Sequence, residues 1–376
     1  MKIPFRIKNL AFALIALLSI SLFSCGSENK GAYHSLNGAR QQAIGEIDEI
    51  VVISSNRLWK TALKDSFEFY FASPFLLLPQ PEPVFKVKHF TYHEIHEKPL
   101  RKKFRTILVM ADMGDTDSPE TKMVLKDLGK ERVNDLLTKP DAGFATAKNK
   151  WVDNQLIIYL IGDSQEDLER KIVDKFPGIA AKVRQHDRPK INKRVFYNGS
   201  NKGAMKLVKD TFGIDIRIPP DFIVSGVKSK DLVWIRKETN KTSSSLIIAK
   251  FPYKNAQQLS ADTLRQYVNA IGQQYIASRE EGSYFVINDH DLPLIRNTAN
   301  FDGHFVTEIR GIWELENDYM GGPFIAYLAP NPNKKDELIL LLGFVYAPQK
   351  KKKPYIEDME EIIRTVKLDD VDRMTK

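Results

Sequence analysis

The sequence predicts an α+β protein of two domains, each a largely antiparallel sheet packed with helices, the C-terminal one an α/β/α sandwich. Three observations carry that expectation. The chain has 376 residues, 43% of them hydrophobic and 10% aromatic, more than one hydrophobic core usually accommodates and ample for two. Strand-like and helix-like apolar periodicities follow one another along most of its length. Leu338 to Leu342 is apolar at every position, as a central strand covered on both faces requires.

The first segment reads as a leader. Lys2, Arg6 and Lys8 precede a mostly apolar run from Leu10 to Phe23. As a helix that run spans roughly 21 Å, short of the roughly 30 Å hydrocarbon core of a bilayer. This is the layout of a cleaved signal peptide, residues 1–24. Leu22-Phe23-Ser24-Cys25 places a small residue before the only cysteine of the chain, in the manner of a lipobox, although Phe23 is bulkier than usual there. Cys25 is the predicted lipidation site. Several acyl chains, each contributing about 0.8 kcal/mol per buried methylene, hold such a protein stably at a membrane. With Cys25 acylated no thiol remains, so both cores must hold without disulfides. Gly26 is not the aspartate that retains many lipoproteins at the inner membrane, which places the chain in the cell envelope at the outer membrane, facing the periplasm or the exterior.

Charge narrows the partners. The formal net charge is +8, and three of the positive charges lie in the leader, leaving about +5 on the mature chain. The basic runs Lys98 to Arg105 and Lys350 to Lys353 read as solvated loops, or as contacts to anionic headgroups. Nucleic acid is excluded by export and by the absence of a recognition motif. The partners expected are the membrane, through the N-terminal lipid, and an envelope protein or cell-wall component.

Residues 25–44 are polar and poor in apolar periodicity, as in a flexible tether. The first domain then covers 45–189. Ile47 to Ile53 reads as a strand and Ser54-Ser55 as a helix start. Trp59, Leu63, Phe67 and Tyr70 recur at helical spacing up to Ser73-Pro74. Leu78-Pro79-Gln80-Pro81-Glu82-Pro83 is too proline-rich for regular structure. Residues 84–95 and 104–110 read as strands joined by a basic loop, 119–128 as a helix, 144–151 and 155–161 as a hairpin. Ser164 with Asp167 resembles a capping box opening a long helix that Pro177 kinks. The polar run Asp187-Arg188-Pro189-Lys190 marks the boundary.

The second domain covers 190–368. It begins with a helix over 194–211 and continues with strands at 213–218, 222–227, 232–237 and 245–251. A helix over 260–275 precedes strands at 284–287, 294–296, 303–313, 324–328 and 337–346, and the closing helix starts at Pro354. Residues 369–376 are a polar tail.

Motifs for chemistry are weak. His89, His93 and His96 would form a zinc-binding stripe on a helix, but strand alternation sends His96 to the opposite face. His93-Glu94-Ile95-His96 is one residue short of the zinc-protease motif. Asp112, Asp115 and Asp117 lack the closing glutamate of a calcium loop. No metal or cofactor is expected. There is no Gly-x-Ser-x-Gly elbow. A catalytic site would have to use His290 with Asp289 or Asp291, or His304 with Glu308.

The densest stretch runs from Arg310 to Phe324. Alternation sets His304, Val306, Glu308 and Arg310 on one face, and Phe305, Thr307, Ile309 and Trp313 toward the other. Structurally this is a long hairpin whose Trp313 caps the core, with Gly321 and Gly322 allowing close backbone approach. Functionally, Glu308, Arg310, Trp313, Asp318, Gly321, Gly322 and Phe324 would line a recognition surface at its end.

The same residues carry a resemblance. The leader with Cys25, Leu78 to Phe85, Arg310-Gly311-Ile312-Trp313, Asn317 to Phe324 and Gly343 to Pro348 together resemble a family of Bacteroidetes lipoproteins classed as domain of unknown function 4837, over nearly the whole mature chain. That family has no assigned activity, so the resemblance implies a compartment and no chemistry. In strand order the second half is similar to the α/β/α sandwich of the PsbP-like group, whose members are mostly binding or assembly factors. A non-enzymatic binding or assembly role is implied, with an envelope hydrolase or an architectural protein as the alternatives.

Overall fold

The structure is a computed structural model that describes residues 40–139, 143–226, 229–301 and 303–368. Cys25, the leader, most of the tether and the tail 369–376 lie outside the described residues.

The first lobe is built on β1 (Glu49–Ile53), β2 (Lys86–Phe90), β3 (Thr106–Asp112), β4 (Ala145–Lys148) and β5 (Leu156–Gly162), in the order β2-β1-β3-β5-β4. Only the β4–β5 pair is antiparallel; β2, β1, β3 and β5 run parallel. This corrects the expected largely antiparallel sheet, and the reason lies in the strands themselves. β1 and β5 are buried along their whole length and β3 almost so, and helices follow β1 and β3 before the chain returns to the sheet, the crossover that parallel pairing needs. Ile50, Val52, Leu108, Met110, Ile158 and Leu160 face α2 (Ala62–Phe71) and α6 (Gln165–Val195). Val51, Ile53, Ile107, Val109, Ile157 and Ile161 face α4 (Pro119–Leu128) and α5 (Lys130–Thr138). Two short helices, α1 (Asn56–Trp59) and α3 (Tyr92–Glu97), follow β1 and β2.

Helix α3 is a second correction, since residues 84–95 are not one strand. The Thr91 hydroxyl accepts from the Glu94 amide while the Glu94 carboxylate accepts from the Thr91 amide at 2.8 Å. That reciprocal cap ends β2 and starts a helix. Helix α6 is a third. It runs 31 residues with Pro177 and Pro189 inside it, straight through Asp187-Arg188-Pro189-Lys190, so the chain leaves the first lobe only at its end. Asp187 holds the polar segment in place: it is 1% exposed and accepts from the Asp48 amide at 2.9 Å and from Arg105 Nε at 2.7 Å.

The second lobe holds α7 (Lys202–Phe212), β6 (Ile223–Val224), β7 (Leu232–Glu238), β8 (Ser243–Pro252), α8 (Ala261–Tyr275), β9 (Tyr284–Asn288), β10 (Ile295–Phe301), β11 (His304–Glu316), β12 (Gly321–Pro330), β13 (Glu337–Tyr346) and α9 (Lys353–Ile363). Its antiparallel sheet has the order β10-β11-β12-β13-β8-β7-β6, with β9 also on β11. Helices α7 and α9 cover one face through Val208, Phe212, Met359 and Ile362, and α8 covers the other through Leu264, Val268 and Ile271. The molecule is thus two-lobed, with helices packed on both sheets. Residues 213–218 form no strand; they include the isolated β-bridge between Asp215 and Lys367.

The lobes join where the C-terminal third of α6 lies against α9. Arg188 and Asn192 reach Glu361 at 3.2 and 2.7 Å, and Arg194 Nε reaches Asp358 at 2.9 Å. Lys353 Nζ pairs with Asp48 at 2.7 Å. The proline-rich segment contributes Glu82, whose carboxylate accepts from the Lys352 and Lys353 amides at 2.5 and 3.2 Å. It supplies an N-terminal cap that α9's own Lys352 side chain does not, with a negative charge suited to the helix dipole.

Gly322 lies opposite Trp313 in the β11–β12 ladder, and a Cβ there would overlap the Val345 carbonyl oxygen, which accepts from Trp313 Nε1 at 3.2 Å. Gly322→Ala is predicted to cost on the order of 2 kcal/mol or more. Gly203→Ala, on the exposed first turn of α7 with no neighbour nearer than 3.6 Å, should instead gain up to about 1 kcal/mol. Urea denaturation of the two variants checks both signs.

Candidate functional site

The predicted recognition surface is not assembled at the protein surface. Glu308 and Arg310 face α9, where Arg310 Nε meets Glu308 at 2.7 Å and Arg310 Nη2 meets Glu360 at 2.9 Å. Arg364 pairs with Glu360 at 2.7 Å, and the Tyr327 hydroxyl donates to Glu308 at 2.9 Å. Burial pushes the Glu360 carboxyl up, but Arg310 and Arg364 outweigh it and hold it below the ordinary range. Burial also raises the Tyr327 hydroxyl well above its usual value. The network ties the sheet to α9. Trp313 and Phe324 are 3% and 1% exposed, and Trp313 stacks on Phe285 with ring centroids 4.9 Å apart. Gly322 is buried beside them, and Gly321 and Asp318 are half-buried near the turn. These residues therefore make a packed hairpin end, because the strand is long enough to bury both of its faces.

The other candidates stay apart. His290 lies 3.8 Å from Asp291 with both side chains at least 66% exposed, and Asp289 is held by Arg265 at 2.5 Å. Glu308 is committed to Arg310 and Tyr327, away from any pairing with His304. His89 sits on β2, stacked on Trp59 at 4.5 Å, with Nε2 3.0 Å from Ser54 Oγ. His93 and His96 belong to α3, and His96 stacks on Tyr92. Asp112 and Asp115 share Arg57 at 3.3 and 3.1 Å, while exposed Asp117 faces Lys122 at 3.7 Å. Among the described residues no three metal-ligating side chains come together.

The structure instead opens two cavities on either side of the C-terminal third of α6. The first, of about 590 Å³, is lined by Arg105, Lys148, Lys182, His186, Lys190 and Lys193 with the amides of Asn149, Asn154, Gln155 and Gln185, and by no carboxylate. Its rim is where the chain enters the lobe. Gln42 bridges to Asp153 and accepts from Asn154 Nδ2 at 2.6 Å, and Lys190 Nζ donates to the Gly45 carbonyl at 2.5 Å. Arg105 anchors the floor, donating from Nε to Asp187 and from Nη2 to the His186 carbonyl at 2.5 Å. Burial, then the Arg105 charge, pulls the His186 imidazole down to about 4, and its Nε2 is buried without a hydrogen-bond partner. Burial, then Arg105, likewise lowers Lys190.

The second cavity, of about 560 Å³, shares Lys190 and Lys193 and adds Arg194, Tyr197, Pro219, Phe222 and Lys237. Its charges are largely cancelled, Arg194 by Asp358 and Lys237 by Asp221 at 2.5 Å. The first is the cleft with positive charge to spare. A signal for it existed in the sequence: Lys182, His186, Lys190 and Lys193 recur at helical spacing, but a helix ended at Asp187 cuts that stripe in two.

Residues 201–365 match the family model described as Domain of unknown function (DUF4837), and residues 43–196 match that of Domain of unknown function (DUF8532). No curated protein matches the chain. The likeness to the first family therefore covers the second lobe and not nearly the whole chain; Leu78 to Phe85 falls in the other match. No helix among the described residues is long and apolar enough to cross a membrane.

Because folded His186 stays neutral down to about 4 from an ordinary 6.5, the unfolded chain binds the extra proton between those values. Stability therefore rises with pH across that window and is lost as pH falls through it. His186→Gln removes this contribution, so relative to the parent the variant should gain as pH drops from 7 to 4.5. Urea midpoints at the two pH values measure it, and a constant difference would contradict the assignment.

Proposed function

We propose that this protein is anchored by a lipid on Cys25 at the outer membrane, facing the periplasm or exterior, and works by binding an anionic component of the envelope at the α6 cleft. The observation that carries this is the lining: five Lys and Arg side chains around one cavity with no carboxylate among them. Like charges held that close repel one another, and a bound anion relieves the repulsion. The lining's cations and amide N–H groups are the chemistry of recognition, which favours a binding role over an envelope hydrolase and over a purely architectural protein. The helix-flanked antiparallel sheet of the second lobe favours the PsbP-like reading, in which binding or assembly is the common role. The chain leading back toward Cys25 leaves the first lobe at the rim of the cleft, so the cleft is the part of the fold tied directly to the anchoring end.

Two measurements test the proposal. Cys25→Ser should lose acyl labelling and move from the membrane to the soluble fraction; membrane retention with the label intact removes the anchor. A photo-crosslinking side chain at Gln185, expressed in cells, should give an adduct that the same group at exposed Tyr319 does not. That adduct should fade in Lys148→Glu/Lys193→Glu. Equal adducts from both positions would overturn the cleft as the binding site.

A further inference from the structure

The cleft has more specific chemistry than positive charge alone. Its cations converge from three elements: Arg105 just before β3, Lys148 at the end of β4, and Lys182, Lys190 and Lys193 on α6. Lys148 and Lys193 have no carboxylate within ion-pair distance among the described residues, and Lys182 meets only the Gln185 amide oxygen, at 3.4 Å. Arg105 gives Nε to Asp187 and one Nη2 hydrogen to the His186 carbonyl, and its Nη1 reaches the Asn154 carbonyl only at 3.5 Å. A guanidinium has five N–H donors, so part of the fork remains available. His186 Nε2 is buried and unpartnered beside it.

Resting on the reading of this cleft as the binding site, we propose that its ligand is recognised through a phosphate group, as a phosphomonoester whose substituent is of the size of glycerol or a sugar. A carboxylate would bring a single negative charge to four lysines and an Arg105 already paired with Asp187. A phosphomonoester brings about −1.5 to −2 at neutral pH and three acceptor oxygens, which can take donors from β3, β4 and α6 at once. Guanidinium forks match phosphate oxygens in pairs, and lysines add point charges around them. A volume of about 590 Å³ exceeds what a bare anion needs and falls within the range of about 300–1,000 Å³ typical of small-ligand sites. Such a group reaches the site either on a lipid headgroup or on a soluble phosphate ester.

The acylated full-length protein, placed in nanodiscs of neutral lipid and titrated calorimetrically with glycerol 3-phosphate, should bind one equivalent saturably. Lys148→Gln/Lys193→Gln, two exposed positions, should weaken that binding about tenfold or more, since charge-assisted bonds to phosphate are lost. Lys241→Gln/Lys254→Gln, of equal charge change elsewhere, should leave it as it was. Repeating the titration in nanodiscs containing phosphatidate, against nanodiscs matched in charge with phosphatidylserine, separates the sources. Titration blocked by phosphatidate alone identifies a headgroup, and titration unaffected by either lipid identifies a soluble ester. Binding of poly-glutamate at the cleft without binding of glycerol 3-phosphate would overturn the phosphate assignment and leave the anion-binding reading standing. Glycerol 3-phosphate binding that is indifferent to Lys148 and Lys193 would overturn the site itself.

Discussion

The fold hangs on one buried charge. Asp187, 1% exposed, would be a severe penalty standing alone, because an unpaired carboxylate in the interior costs several kcal/mol. Burial holds its carboxyl above the ordinary range, and Arg105 and the Asp48 amide offset only part of that rise. Arg105 is thereby fixed at the foot of the first sheet. Asp48 is fixed in a left-handed conformation, φ 58°, from which its side chain reaches Lys353 at the start of α9. Removing one partner of such a pair typically costs about 3–5 kcal/mol. Here the same few atoms join the first sheet, the long helix and the second lobe.

From that node the two faces of α6 acquire different roles. One carries Arg188, Asn192 and Arg194 onto Glu361 and Asp358 of α9, so its charges are neutralised and its side chains ordered. The other carries Lys182, His186 and Lys193 over the foot of the first sheet, where the nearest acid, Asp187, is already engaged with Arg105 and Asp48. Two cavities of similar volume therefore differ in electrostatics. The cavity on the joining face has carboxylate partners for Arg194 and Lys237; Lys148 and Lys182, which line only the other, have none among the described residues.

Much of this architecture was legible in the residues, and the failures have physical causes. The second sheet followed from alternating and continuous apolar runs, and β13 was recognisable because Leu338 to Leu342 has no polar face. The parallel pairing of the first sheet is not legible from apolarity, because Ile50 to Ile53 and Ile157 to Ile161 are as apolar as Leu338 to Leu342 of antiparallel β13. A cap hidden in Thr91-Tyr92-His93-Glu94 turned an apparent strand into a helix and separated the histidines. Glu308 and Arg310 looked like surface chemistry because each is charged. Their partners Glu360 and Arg364 lie some fifty residues away, on a helix whose packing partner no local pattern names. The cleft was concealed by the same kind of long-range pairing, since the polar stretch at Asp187 reads as a break until Arg105 and Asp48 are brought to it.

The second-lobe network and the cleft pose the same electrostatic problem with opposite outcomes. Around Glu308 and Glu360, two arginines face two carboxylates and a tyrosine hydroxyl within 2.7–2.9 Å for the closest pairs. Every charge there is answered inside the protein, so the cluster holds α9 to the sheet and has nothing left for a ligand. Around Lys148, Lys182 and Lys193 no carboxylate lies within ion-pair distance among the described residues, and Lys190 Nζ donates to the Gly45 carbonyl. A fold that neutralises one buried charge cluster so fully has the means to neutralise another. Leaving this one positive, where residues 42–45 meet the first lobe, is the electrostatic feature on which the proposal of a bound anion rests.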